Sequence, residues 1–200
     1  MKTVNLLQAI SDEELIKEFI SRLGEDVDRQ GLKETPERVV KAWKFFTSGY
    51  GKDPKDVLKC FEDGGETYDQ LLFQANIPLV SSCEHHMEKF WGACHIAYVP
   101  NGKVVGLSKL FRLADIFARR LQVQERLTQQ IADALMEHLQ PKGVGVVLQM
   151  RHMCMESRGI QKAGTVTISS ALRGCIKEEP ECRSEFMSLV TVASQGLVKL

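Results

Sequence analysis

The chain has 200 residues, of which 44% are hydrophobic and 26% are charged, as in soluble globular proteins. Its 26 basic and 26 acidic side chains leave no net charge at pH 7, which argues against non-specific binding to nucleic acid or membranes. This much apolar material can form a core without disulfides or a structural metal. Six scattered cysteines, and no signal-like or membrane-spanning apolar run, predict a cytoplasmic protein.

The first part of the chain, residues 1–70, predicts an N-terminal helical appendage. Ser11 and Glu14 have the spacing of a capping box, in which each side chain accepts a hydrogen bond from the other residue's backbone N–H. An apolar stripe at helical spacing follows, and Gly24 ends it. Pro36 then begins a second helix, because proline is favoured in the first turn. Two short helices and a polar stretch are typical of an appendage to a larger domain.

The remaining residues, 71–200, predict the main domain and contain both strands and helices. Four segments have the composition and alternation of strands: 75–82, 93–99, 144–152 and 164–172. Apolar residues four apart predict helices from Ser108 to about residue 140, with a break near residues 120–124. Strands, helices and strands in this order predict an α+β fold, with an antiparallel sheet backed by helices.

Two short clusters carry potential metal ligands. Cys83, His85 and His86 fall within four residues, and a Cys-x-x-His spacing lets one turn direct both end groups to one point. His152 and Cys154 end a predicted strand and should share a face, since side chains alternate with period two. Cys83, His86 and Cys154 together form a set of three ligands with one position open, which is the catalytic arrangement of zinc. The alternative is two exposed loop histidines beside a buried thiol.

The two histidines outside this ligand set suggest a hydrolytic reaction. His85 and His152 would lie beside the metal, and imidazole exchanges protons near neutral pH. The combination favours attack of a zinc-activated water on an electrophilic carbon. Cys94, next to His95 on a predicted strand, is expected in the core or on a sheet face, and three other thiols have no ligand-like neighbours: Cys60, Cys175 and Cys182. We expect no direct role for these four thiols.

A basic cluster at a predicted helix start suggests a phosphate site. Ser108, Lys109 and Arg112 combine a hydroxyl, an ammonium and a guanidinium, and the N–H groups of a helix start can also receive phosphate oxygens. Arg158, four residues after Cys154, would add positive charge next to the metal. A solvated basic helix is the alternative interpretation.

A neighbouring amide and carboxylate suggest a purine contact. Gln124 and Glu125 together could satisfy a guanine edge, with the carboxylate accepting from N1–H and from the exocyclic amine. The polar start of a surface helix explains the same residues equally simply.

Four stretches of the chain resemble the GTP cyclohydrolase I family, in the family's order. They are GEDVDRQGLKETPERVVKAW, SSCEHHMEKFWG, HIAYVPNGKVVGLSKLFRLADIFARRLQVQERLTQQIADAL and HMCMESRGIQKAGTVTISSAL. The resemblance implies hydrolysis of GTP to 7,8-dihydroneopterin triphosphate and formate, the first step of pterin and folate biosynthesis. It also implies the tunnelling fold, in which sheets of several subunits join into a barrel, and homodecamers with active sites between subunits.

The resemblance assigns a role to each matching position. The implied Zn²⁺ ligands are Cys83, His86 and Cys154, and the implied proton-transfer residues are His85 and His152. The implied triphosphate contacts are Ser108, Lys109, Arg112 and Arg158. The implied guanine contacts are Gln124 and Glu125. Two basic residues that would reach a neighbouring subunit's site are Arg38 and Lys41.

Two alternatives and one departure from the family pattern remain at this point. The first alternative is another enzyme of the same fold. A pterin synthase would need three histidines on zinc, and a nitrile-reducing queuosine enzyme would need a nucleophilic cysteine without metal. A non-enzymatic zinc-binding module would close the metal with four ligands. The departure is Glu156, an acid beside the presumed triphosphate site.

Overall fold

The structure is a computed structural model that describes residues 10–61 and 66–195. Two compact units divide the chain, the first ending at Thr47 and the second beginning at Ser48. The boundary between residues 70 and 71 that the sequence suggests stays a prediction. Within the described residues, no helix combines the length and the apolar character that a membrane span requires.

The first unit contains the two predicted helices, α1 (Asp12–Arg22) and α2 (Thr35–Phe46). The capping box is confirmed: the Ser11 hydroxyl accepts from the Glu14 backbone N–H at 3.2 Å, and the Glu14 carboxylate accepts from the Ser11 N–H at 2.8 Å. Gly24 adopts a φ of +93° just beyond α1, where a side chain would be strained. The start and the end of α1 are therefore encoded locally.

Within the ranges of the second unit that the structure describes, there are seven strands: β1 (Cys60–Phe61), β2 (Leu72–Cys83), β3 (Lys89–Val99), β4 (Val104–Val105), β5 (Leu121–Gln122), β6 (Gly143–His152) and β7 (Thr167–Gly174). Five of them form one sheet in the order β5-β2-β3-β6-β7, in which only the short β2–β5 pair is parallel. The other two strands, β1 and β4, pair separately. The mixed α+β class and the antiparallel character of the sheet are confirmed.

The helices of the second unit are α3 (Leu107–Ala118), α4 (Gln124–Leu139), α5 (Met153–Glu156), α6 (Cys175–Glu178) and α7 (Pro180–Gln195). The predicted break between α3 and α4 is real and contains β5. The four apolar residues that predicted α4 are buried in the main core: Leu127, Ile131, Leu135 and Leu139. A second, smaller core forms where Phe186 and Val190 of α7 pack with Val147 of β6. The central strands are thus buried on both faces, which holds their ends in fixed positions.

Candidate active site

The first ligand cluster lies in the tight turn between β2 and β3. Cys83 is the last residue of β2, and its carbonyl accepts from the Met87 N–H at 2.8 Å while its own N–H donates to the Glu88 carbonyl at 2.8 Å. Met87 has a φ of +57°, which lets the chain reverse. The turn brings the Cys83 sulfur to 3.8 Å from Nδ1 of His86. Local backbone geometry therefore pairs these two ligands, as the Cys-x-x-His spacing predicts.

The third potential ligand, Cys154, follows the end of β6. Strand β6 pairs with β3 so that His152 lies opposite Phe90, close to the turn that follows β2. The chain then enters α5, and Cys154 lies in this short helix. The expectation that His152 and Cys154 share a face of one strand is wrong, because β6 ends at His152. The sulfur of Cys154 nevertheless lies close to the two potential ligand atoms of the turn. The ligand atoms of Cys83, His86 and Cys154 all lie within 4.8 Å of one another.

This geometry fits a tetrahedral metal ion. Sulfur and nitrogen ligands bound to one zinc ion lie roughly 3.5–3.8 Å apart, so the observed atoms need only small movements to share an ion. Burial raises the pKa of the Cys154 thiol, and the neighbouring Cys83 thiol raises it further. A cation between the two sulfurs would offset both effects, since metal binding favours the thiolate. The group can therefore hold a metal with three protein ligands.

His152 is fixed on two sides next to this group. Its ring is stacked on Phe90, with ring centres 4.8 Å apart and planes 4° from parallel. Its Nε2 lies 2.8 Å from Oε1 of Gln124. Burial lowers the pKa of His152, and the nearby carboxylates of Glu125 and Glu156 oppose this shift. The imidazole is thus held in one orientation beside the ligand cluster.

The side chain of Gln124 is buried, with 2% of its surface exposed. Its Nε2 lies within hydrogen-bonding distance of the Leu148 carbonyl (3.3 Å), the Thr167 carbonyl (3.0 Å) and the Ser169 hydroxyl (3.0 Å). These acceptors orient the amide so that its oxygen faces His152. Nε2 of His152 therefore donates to Gln124, and Nδ1 is the nitrogen left to exchange a proton. Sequence reasoning missed this function of Gln124 in positioning His152.

The other predicted histidine, His85, is exposed in the same turn. Its Nε2 lies 4.0 Å from a carboxylate oxygen of Glu84, and 63% of its side chain is exposed. Glu84 in turn accepts two hydrogen bonds from Arg126 of α4, at 2.5 and 3.1 Å. This ion pair lowers the pKa of Glu84 and ties the turn to α4. His85 is accessible to a bound molecule, whereas His152 is half-buried.

The predicted basic residues lie in three places. Arg158 is exposed after α5 and lies near enough to lower the pKa of Cys154. Arg38 and Lys41 are exposed on α2 of the first unit, where Arg38 forms an ion pair with Glu34. The third place is the first two turns of α3, which carry Ser108, Lys109 and Arg112.

Helix α3 ends beside the strand that carries Cys83, so its basic start lies at the far end of the helix. Its last residue, Ala118, accepts a hydrogen bond at 2.7 Å from the hydroxyl of Ser81, two residues before Cys83. Ser108 lies ten residues earlier, roughly 15 Å along the helix axis. This hydrogen bond therefore brings the end of α3, and not its basic start, close to the potential metal ligands of the same chain.

Comparison with known proteins decides the family. A family model described as GTP cyclohydrolase I matches residues 12–191. The chain belongs to the GTP cyclohydrolase I family. Proteins named GTP cyclohydrolase 1 from Janthinobacterium sp. (strain Marseille) and Nitrosospira multiformis are 58% and 57% identical to it, each over 86% of this chain and over 87% and 90% of the relative. A protein of the same name from Campylobacter curvus is 50% identical over 90% of this chain and 94% of its own length.

Membership of the GTP cyclohydrolase I family confirms the resemblance drawn from the four stretches, and with it the assignment to an enzyme family. The structure adds contacts that these motifs do not reveal. The carboxylate of Glu156, the acid expected beside the triphosphate site, is turned to Arg151. The hydrogen bond from His152 to Gln124 and the pair of Glu84 with Arg126 are further examples. The last two join residues 28 and 42 positions apart in the chain, whereas Arg151 and Glu156 are five residues apart. None of the three contacts is part of the motifs that indicated the family.

Proposed function

We propose that this chain catalyses the hydrolysis of GTP to 7,8-dihydroneopterin triphosphate and formate, the first step of pterin and folate biosynthesis. One observation supports this most directly. Three potential metal ligands and an oriented imidazole, His152, converge at one end of the sheet in a chain of the GTP cyclohydrolase I family. A Lewis acid and a proton donor both accelerate hydrolysis at a purine carbon.

The metal is Zn²⁺, held by Cys83, His86 and Cys154. Two thiolates and one imidazole are soft and borderline ligands that suit zinc better than magnesium or calcium. Three protein ligands leave one tetrahedral position open, which is the arrangement of catalytic rather than structural sites. A bound zinc ion supplies Lewis-acid polarisation at that open position.

The two histidines divide the proton transfers. His152 keeps its Nε2–H on Gln124 in both protonation states, so Nδ1 delivers and recovers the proton at the imidazole-ring nitrogen of the guanine. The buried amide of Gln124 stabilises the charged imidazolium during this step. His85, exposed in the turn, exchanges a proton at the ribose oxygen once the five-membered ring has opened. The half-buried position of His152 limits competing exchange with bulk water.

The substrate's two ends meet different residues. The carboxylate of Glu125, exposed at the start of α4, accepts from the guanine N1–H and amine. The side-chain amide of Gln124 is already engaged, so its predicted guanine contact stays a prediction. The triphosphate contacts are Ser108, Lys109, Arg112 and Arg158. Two further basic residues come from a neighbouring subunit: Arg38 and Lys41.

The active enzyme is a homodecamer with the tunnelling fold, in which sheets of several subunits join into a barrel. The direction of α3 supports an assembly with shared sites, because its basic start lies roughly 15 Å along the helix from the end beside the chain's own cluster. A neighbouring copy would supply that basic start. Six free thiols support a reducing, cytoplasmic location.

The test is incubation of the purified protein with GTP, followed by measurement of formate and of a fluorescent pterin after oxidation. We expect both products in equal amounts and about one zinc per chain. Cys154→Ser should lose both the zinc and the turnover, since it removes one of three ligands. Cys182→Ser is the matched control, because this thiol is also half-buried but lies in α7. A metal-free protein with full activity would contradict the proposal.

A further inference from the structure

A carboxylate and a guanidinium form a two-point ion pair at the end of β6. Nε of Arg151 donates to one carboxylate oxygen of Glu156 at 2.9 Å, and Nη2 donates to the other at 2.5 Å. Only 5% of the Glu156 side chain is exposed. The guanidinium also lies over the ring of Trp91, 5.0 Å from its centre. Low exposure, two-point geometry and the aromatic contact distinguish this pair from ordinary surface ion pairs.

The same carboxylate reaches across the loop that follows α5. Residues 157–166 have no regular secondary structure, and three of them have a positive φ: Gly159, Gln161 and Gly164. A left-handed conformation is unfavourable for glutamine, so the loop needs contacts that hold this shape. The backbone N–H of Gly164 donates to a carboxylate oxygen of Glu156 at 3.2 Å. Glu156 thus ties the far end of the loop back to the end of β6.

We propose that Arg151 and Glu156 are positioning residues that hold Arg158 in place for the phosphates of the substrate. The proposal rests on the proposed function, in which Arg158 contacts the triphosphate. Arg158 is the second residue of the segment that Glu156 closes, between the ion pair at one end and Gly164 at the other. The carboxylate of Glu156 is neutralised by Arg151, so this acid does not repel the triphosphate.

A fixed loop matters because an ordered guanidinium binds an anion more tightly than a mobile one. The entropy of ordering the side chain and its backbone is lost during folding rather than during binding. Misplacement of a substrate contact by about 1 Å can lower a rate by a factor on the order of 100. Loss of the ion pair should therefore weaken phosphate binding without changing the metal ligands.

The test is a double-mutant cycle with inorganic tripolyphosphate as the probe. Calorimetry on the zinc-loaded proteins measures the Kd of tripolyphosphate for the wild type, Glu156→Gln, Arg158→Ala and the double variant. We expect Glu156→Gln to weaken binding on the order of tenfold, and to add almost nothing when Arg158 is already alanine. Glu156→Ala should weaken binding more than Glu156→Gln, which can still accept from Gly164. Asp133→Asn is the matched control, because Asp133 forms an exposed ion pair with Arg173 outside the site.

Two further measurements separate positioning from general damage. Hydrogen exchange of the Gly164 amide should accelerate in Glu156→Ala, while zinc content and far-UV circular dichroism stay unchanged. With GTP, KM should rise and kcat should change much less. Additive effects in the cycle, or an unchanged Kd in Glu156→Gln, would overturn the proposal. Absence of GTP turnover in the wild type would instead contradict the proposed function, since tripolyphosphate binding does not depend on turnover.

Discussion

At the scale of single residues, Gln124 makes contacts that the sequence analysis did not predict, since that analysis assigned it only a guanine contact. Its buried amide links α4 to β6 and β7 and orients His152. Its neighbour Glu125 is exposed to solvent. Adjacent residues in one motif therefore serve different purposes, one in positioning and the other in proposed substrate contact.

Replacement of Gln124 by leucine should show this positioning role. We expect a loss of about 1–3 kcal/mol in the free energy of unfolding, because buried acceptors on β6 and β7 lose their donor. Turnover should fall sharply while zinc stays bound. Urea denaturation and metal analysis measure the two effects. Gln149→Leu is the control, since Gln149 donates one hydrogen bond, to Ser194, and should lose under about 1 kcal/mol. Equal losses in both variants would contradict this interpretation.

A second residue, His95, should make stability depend on pH. Its side chain is fully buried in β3 and stacked on Phe73, and the Asn76 N–H donates weakly to its Nδ1 at 3.5 Å. Burial lowers the pKa of His95 from its usual 6.5. Below pH 6.5 the unfolded chain therefore binds a proton that the folded chain does not, and stability falls as the pH drops towards the folded pKa.

The comparison that isolates this effect uses His95→Gln, which cannot titrate. The free energy of unfolding of the metal-free proteins is measured from about pH 7.5 to about pH 5.5. We expect the wild type to lose more stability over this range than the variant. Parallel curves for the two proteins would show that His95 contributes nothing to the acid sensitivity.

At the scale of elements, the pairing of β3 with β6 decides where the site forms. The register places Phe90 opposite His152, and so places Cys154 near the turn that carries Cys83 and His86. Gly92 lies two residues from Phe90, where a Cβ atom would stand 2.0 Å from the Gln149 carbonyl oxygen. The strands can approach this closely only because residue 92 has no side chain.

Gly92→Ala should therefore separate β3 from β6 beside the site. We expect a loss of about 1–3 kcal/mol in the free energy of unfolding, together with weaker zinc binding, because both clusters depend on this pairing. Gly51→Ala is the matched control, since a Cβ at Gly51 meets no atom within 4 Å. Thermal unfolding and zinc titration measure the outcome. A variant as stable as Gly51→Ala would show that the strands can adjust.

Elements defined by local patterns were predicted well, and those defined by contacts were not. The capping box of Ser11 and Glu14 and the four-residue spacing in α4 predicted helices that the structure contains. Helix α7 (Pro180–Gln195) was not predicted, because its apolar stripe is weak. Only Phe186 and Val190 of this helix are buried, against the sheet. Tertiary packing rather than periodicity stabilises it.

At the scale of the whole molecule, the site adjoins the main apolar core: Cys83 belongs to this core and Cys154 packs against it, while His86 is exposed. The large buried side chains, among them Ile96, Leu135 and Leu148, lie between the sheet and the helices. The potential ligands lie at one end of the sheet, where β2 and β6 end and β3 begins. Because most of this core consists of aliphatic and aromatic side chains, we expect it to form without the metal.

Chelation should abolish activity and leave the fold intact. We expect unchanged far-UV circular dichroism and a cooperative thermal transition at a Tm lowered by a few degrees, because the metal binds only the folded state. Addition of Zn²⁺ should restore turnover, whereas Mg²⁺ should not, since thiolates are poor ligands for it. Unfolding on chelation would show that the metal is structural.

The sequence by itself determined what depends on neighbours along the chain. The Cys-x-x-His pair, the helix caps and the stripe of α4 are local, since their geometry follows from a few consecutive backbone angles. The four motifs also sufficed to assign the family. Only the tertiary structure decided that β6 ends at His152, that the amide of Gln124 faces this imidazole, and that Glu156 is paired with Arg151. The contact of Gln124 with His152 depends on strand register and burial, which side chains far apart in the chain determine together. The pair of Glu156 with Arg151 depends on the turn of α5 at the end of β6.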